Sequence, residues 1–168
     1  LATRMTVFAL FSLIGIAQGL MPIEGYNFGA RKYERVSKVI NTALTSGVII
    51  ASFIGGLLVF GADLIPHIFT KDQKLITYAP NAIFWIFSST PIIVFHLIPP
   101  SFYQAIGKAK PALFLTLIRQ GVFLIPLVLI LPRYFGIEGV WYSFPISDIL
   151  SAIICYSFLR KSTKKLIS

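Results

Sequence analysis

Five runs of this sequence, residues 5–29, 39–60, 78–106, 111–131 and 139–159, hold at most one Asp, Glu, Lys or Arg each. A helix rises about 1.5 Å per residue, so roughly 20 apolar residues cross the hydrocarbon core of a bilayer. Five such runs in 168 residues leave too little polar surface for a soluble domain. Only 12% of the residues are charged, against about a quarter in soluble proteins, and the mean hydropathy is +0.81. The expected fold class is all-α: a polytopic bundle of about five transmembrane helices. Pro99-Pro100 in the long third run predicts a break or bend there.

The formal net charge of +9 does not point to nucleic acid, because the basic residues fall in short segments between the apolar runs. Arg31, Lys32, Arg35 and Lys38, then Lys108 and Lys110, then Arg160, Lys161, Lys164 and Lys165 sort to one side of the membrane. Lys71, Lys74 and Arg133, diluted by Asp63, Asp72 and Glu138, sort to the other, where Arg4 stands alone against the trend. The positive-inside tendency places the first set in the cytoplasm, with Tyr78, Trp85, Trp141 and Tyr142 as outer interfacial anchors. The chain is therefore expected in the cell inner (plasma) membrane, multi-pass, in contact with membrane lipids, its C-terminus cytoplasmic. Its opening "LATRM" lacks the n-region and cleavage site of a signal peptide, so the first run reads as a span. An odd number of spans starting abruptly outside reads as the back part of a longer protein.

Ionisable residues at membrane depth cost roughly 2.5–3.5 kcal/mol at a helix centre and suggest function by default. Glu24 lies seven residues before Arg31, hence roughly 10 Å above the cytoplasmic edge. With Asn27 at i+3 and Ala17 and Leu20 on the same face, Glu24 is expected to line a cavity wall. It is expected to bind a proton or cation there, to be a neutral acid hydrogen-bonded between helices, or to reach the cytoplasmic headgroups. Arg119 and Asp148 fall at comparable depths, which permits an intramembrane ion pair between the fourth and fifth spans, a structural fastener first. Gln18, Gln104, Gln120 and Asn41 can bond across helices or meet a ligand. His96, beside the proline pair, reads as a packing residue. Gly15, Gly19, Gly25 and Gly29 in the first run, and Gly47, Ala51 and Gly55 in the second, offer close helix contact. The lone Cys155 excludes an intrachain disulfide. No metal-ligand spacing, HExxH, GxSxG or Walker A loop occurs, so neither a metal site nor enzymatic activity is expected.

Three ordered motifs carry a resemblance. "GIAQGLMPIEGYNFGARKYERV" resembles the eighth-helix signature of the multidrug and toxic compound extrusion (MATE) transporters. "SFYQAIGKAKPALFLTLIRQGVFLIPLVLILP" is similar to their tenth-to-eleventh helix hinge, and "GVWYSFPISDIL" to the start of their last helix. The resemblance implies a two-lobe, twelve-helix transporter of which residues 1–168 form a partial C-terminal lobe, helices eight to twelve. The N-terminal lobe and the seventh helix would be the missing partner. It implies secondary active efflux of drug-like or cationic amphiphilic small molecules by antiport with alternating access, with a proton or Na+ as coupling ion and no other cofactor. Relatives usually hold an apolar or small residue at the position of Glu24, whereas some place a coupling acid in the seventh or tenth helix. The third run has no acid, so Glu24 is the coupling candidate of this lobe. Asn27, Gln18, Tyr26 and Gln104, all within the matching motifs, join it as ion- or substrate-binding candidates. Two other readings stand beside this one. A lipid-linked precursor flippase of related fold would need a more basic cavity than Arg119 alone provides. A non-transporting oligomeric scaffold would need no coupling acid.

Overall fold

The computed structural model describes residues 2–69 and 72–167, with the side chains of residues 2–10, 12, 69, 74, 75 and 167 outside the description. Among the described residues there are helices and turns and no strand. The first two expected spans are α1 (Ala2–Gly29) and α2 (Tyr33–Phe60). A short α3 (Leu64–Phe69) leads to the third span, which is two helices, α4 (Gln73–Ser88) and α5 (Thr90–Ala105), meeting at a 44° bend measured from Ile76. The fourth runs through α6 (Ala109–Leu117), a π-helical segment (Ile118–Leu124), α7 (Ile125–Ile130) and α8 (Pro132–Phe135). The fifth is α9 (Ile137–Ile167). Among the described residues, α2, Ala109–Phe135 and α9 are long and apolar enough to cross a membrane, and the bent pair makes a fourth. The long α1, 28 residues, exceeds the roughly 20 that a span needs.

The third span bends at Ser89, not at Pro99-Pro100. Pro91 lacks the N–H that would bond Phe87 O, and its ring crowds that carbonyl. Thr90 fills the gap by donating its hydroxyl to Phe87 O at 2.7 Å. Pro99 and Pro100 instead lie inside an unbroken α5, both buried. Helices α1, α2 and α9 pack around α5, and that enclosure holds the helix through two missing backbone bonds.

A second irregularity lies in the fourth span. Pro126 cannot donate to the preceding turn, and just before it the ladder slips by one residue. Ile125 N–H bonds Gln120 O, an i→i−5 bond. Such π-turns are frequent at functional sites because they re-aim the side chains they carry. Here they carry Arg119 and Gln120.

Packing centres on α5. Its buried Ile93, Val94, Ile98, Phe102 and Tyr103 join Val36, Ile40 and Ala43 of α2 and Cys155 and Leu159 of α9 in one core. Of the glycines expected to give close contact, Gly25 approaches Ala105 O, Gly47 meets Val94, and Gly55 meets Thr90 and Phe87 O. Gly15, Gly19 and Gly29 face open space, contrary to the expectation of tight packing. The bare backbone at Gly15 and Gly19 floors a groove between α1 and α2.

The ends of the bundle differ in chemistry. At one end Arg31, Lys32 and Arg35 meet Leu166, and Tyr103 Oη bonds Phe158 O and Ser162 of α9. Both helix connections there close alike: Lys32 N–H bonds Asn27 O and Lys108 N–H bonds Tyr103 O, each across a left-handed residue. In the second turn that residue is Gly107, with φ 73°. In the first it is Arg31, with φ 55°, a conformation that costs a residue with a Cβ about 1–2 kcal/mol. At the other end Trp85 stacks edge-on with Tyr142, ring centroids 4.7 Å apart.

Gly55 and Gly56 offer a paired test of packing at the bend. A Cβ at Gly55 would stand 2.9 Å from Thr90 Cβ and 3.2 Å from Phe87 O, whereas one at Gly56 meets nothing within 4 Å. Gly55→Ala is expected to cost about 1–3 kcal/mol through overpacking. Gly56→Ala is expected to be neutral or stabilising by up to about 1 kcal/mol through helix propensity. Thermal midpoints of the two variants in the same detergent check both.

Candidate functional site

The bend, the π-turn and α9 converge on Asp148. Helix α9 turns a strip of small hydroxyl residues inward, Ser143, Ser147 and Ser151, which are buried and bond their own helix backbone. Small side chains let neighbours approach closely, and Asp148 sits in this strip with its side chain 1% exposed. Its Oδ2 accepts the hydroxyl of Ser89, the residue at the bend, at 2.6 Å. Its Oδ1 accepts Nε–H of Arg119 from the π-turn. His96, one turn and a half along α5, holds Nε2 3.6 Å from Oδ1. That is beyond hydrogen-bond reach, and Nε2 is buried with no partner among the described residues. The structure thus brings Arg119 and Asp148 together, and adds Ser89 and His96.

Arg119 also lines a cavity of about 300 Å³ between α1, α5 and the start of the fourth span. Gln18 and Gln104 line the same cavity, with His96 and Gln120. Its apolar walls include Ile14, Leu97 and Pro100. Two prolines remove backbone donors from these walls. Pro22 cannot bond Gln18 O and Pro100 cannot bond His96 O.

Glu24 lies elsewhere. It is fully buried on the face of α1 that also buries Leu13 and Ala17, and neither carboxyl oxygen has a hydrogen-bond partner among the described residues. It does not share a cavity wall with Asn27, as the i+3 spacing suggested. Three residues turn a helix through about 300°, which leaves the two side chains about 60° apart. With Glu24 at the centre of the buried face, that offset carries Asn27 to the open groove between α1 and α2. There it lies with Arg35 and Lys38 in a space of about 670 Å³, its amide donating to Ile23 O at 2.8 Å. Leu20 lines that groove as well. Tyr26 points off the bundle, 74% exposed. The five binding candidates therefore fall in four places: Gln18 and Gln104 in the three-helix cavity, Asn27 in the groove, Glu24 in the interior and Tyr26 on the surface.

The role of Ser89 depends on the bend, which lies ten residues before Pro99-Pro100, where the sequence predicts it. The signal was there in "SSTP", a helix-breaking proline behind three hydroxyl residues. His96 had no sequence signal beyond its depth.

Comparison with known proteins gives one family. The family model described as MatE matches residues 1–130. The multidrug export protein MepA of Staphylococcus aureus (strain NCTC 8325 / PS 47) is 27% identical over 151 residues, which cover 89% of this chain and 33% of the relative. A solved structure of the MATE multidrug transporter DinF-BH is 38% identical, with a TM-score of 0.86 over 94% of this chain and 35% of the other. The outward-facing conformation of a multidrug resistance MATE family transporter of the MOP superfamily is 21% identical and has the same fold. Its TM-score is 0.94, covering 98% of this chain and 38% of that one. The chain thus spans about a third of the length of the curated relatives it matches.

Removing one member of a buried pair leaves a charge without compensation, at a cost of about 3–5 kcal/mol. Arg119→Gln is expected to destabilise by that amount. Adding Asp148→Asn removes the orphaned charge and keeps an amide carbonyl to accept the Ser89 hydroxyl. At least half of the lost stability should return, read as the thermal midpoint of the double variant against the single one.

Proposed function

Since the chain belongs to the MatE family, we propose that it works as part of the C-terminal lobe of a multi-pass transporter. That transporter exports amphiphilic, drug-like compounds, cationic ones among them, in exchange for protons or sodium ions. A first lobe and a seventh helix complete it, the two lobes open alternately to either side, and the basic end of the bundle faces the cytoplasm.

Glu24 carries this reading. An ionised carboxylate withdrawn from water costs far more than a neutral group unless charges or hydrogen bonds replace its hydration. Asp148 has such replacements; Glu24 has none among the described residues. A proton or a cation at its oxygens supplies the missing partner, and losing that ion favours a state in which water reaches the site. Exchange of an ion between two accessibilities at one carboxylate is the chemistry an antiporter needs. The surroundings favour small ions. Gly25, next in the chain, abuts Ala105 O so closely that an added Cβ would lie 3.1 Å from it.

Glu24→Gln keeps the shape and removes the exchangeable charge. In the intact transporter it should abolish ion-driven efflux, a fall of more than about tenfold, with membrane insertion unchanged. Drug efflux from cells, paired with the amount of protein in the membrane fraction, reads both. Undiminished efflux would sink the coupling role.

A further inference from the structure

The three-helix cavity has a polarity of its own. Arg119 is its one charged lining residue among the described residues, and no carboxylate lines it. The counter-charge is turned away: Asp148 is 1% exposed and lies behind the guanidinium, which gives it only Nε–H. A guanidinium has five N–H donors in a planar fork. The four on the terminal amino groups of Arg119 bond no described residue. His96 also lines the cavity, but its Nε2 is buried and directed at Asp148 Oδ1, 3.6 Å away. The side-chain amides of Gln18, Gln104 and Gln120 also line it and bond no described residue. The hydroxyls are different. Ser101 and Thr116 donate to Ile98 O and Ala112 O and so turn their protons away.

A cation placed here would meet the N–H side of the Arg119–Asp148 pair and no carboxylate in the cavity lining. A carboxylate would meet the opposite situation. Its two coplanar oxygens match the guanidinium fork, and such bidentate, charge-assisted bonds are among the strongest a protein makes. The amide N–H groups stand ready for the remaining lone pairs. Ile14, Leu97 and Pro100 leave room beside the fork for an apolar body, within a volume at the lower end of the small-molecule range.

We propose that this cavity, through Arg119 and the glutamine amides, binds the carboxylate of a transported amphiphile. The lobe would thereby select amphiphilic acids and zwitterions over their esters. The inference rests on the transporter reading and names a substrate class within it.

Rhodamine 110 and its methyl ester, rhodamine 123, share one body and differ at a single carboxyl group. Fluorescence anisotropy of each dye with the purified intact transporter in a neutral maltoside detergent compares them at equilibrium. The wild-type protein should bind the acid about tenfold more tightly than the ester. Arg119→Gln with Asp148→Asn should bring the acid to within about twofold of the ester. Gln120→Glu is isosteric at an exposed position, keeps the buried pair and adds a competing carboxylate. It should likewise abolish the preference for the acid. Equal or tighter binding of the ester by the wild-type protein overturns the proposal. So does a preference for the acid that survives Gln120→Glu. Equilibrium binding needs no ion gradient, so a missing acid preference and a missing effect of Glu24→Gln on efflux are separate failures.

Discussion

Asp148 is the point on which three spans depend. Its two oxygens are divided between Ser89 at the bend of the third span and Arg119 at the π-turn of the fourth, while its own helix is the fifth. Both partners sit at backbone irregularities that follow from proline, Pro91 in one case and Pro126 in the other. Straight helices would carry Ser89 and Arg119 to different heights and angles. The carboxylate therefore fixes the orientation of two defects. In a bilayer, where lipid tails are as apolar as the side chains they touch, helix association draws on packing and on bonds of this kind. Close packing does the rest around α5, at Gly47 and Gly55 on one side and at the serine strip of α9 on the other.

The two buried acids are opposites, although the sequence shows each as one carboxylate in an apolar run. Asp148 has bonds to both oxygens and a cation beside it; Glu24 has neither. The first arrangement is stable as it stands. The second is complete only with something added. Their difference is one of surroundings: one acid ties helices together, the other has no bonded group among the described residues.

Much of the fold was legible in the sequence, because lipid leaves few options for a backbone. Runs of apolar residues marked the long helices, four of the five as candidate spans when the bent pair counts as one, and basic clusters marked the ends of helices that the structure brings to one side of the bundle. The matching depths of Arg119 and Asp148 pointed to their pairing. What could not be read was rotation about the helix axes. Depth along a helix follows from counting, but the direction a side chain faces depends on which neighbours surround it. So Glu24 and Asn27, adjacent on a helical wheel, separate into interior and groove. Pro99 and Pro100, the louder sequence signal, yield to Pro91 because burial on several sides sustains a helix that a half-open position does not.

The turn at Arg31 has a mechanical meaning. Two of the connections between spans, residues 30–32 and residues 106–108, are only three residues long, and each is closed by the same crossed backbone bonds. A helix pair tied so tightly cannot slide lengthwise without breaking those bonds. The two helices of each pair are thus joined at the charged end of the bundle and run from there toward the aromatic one.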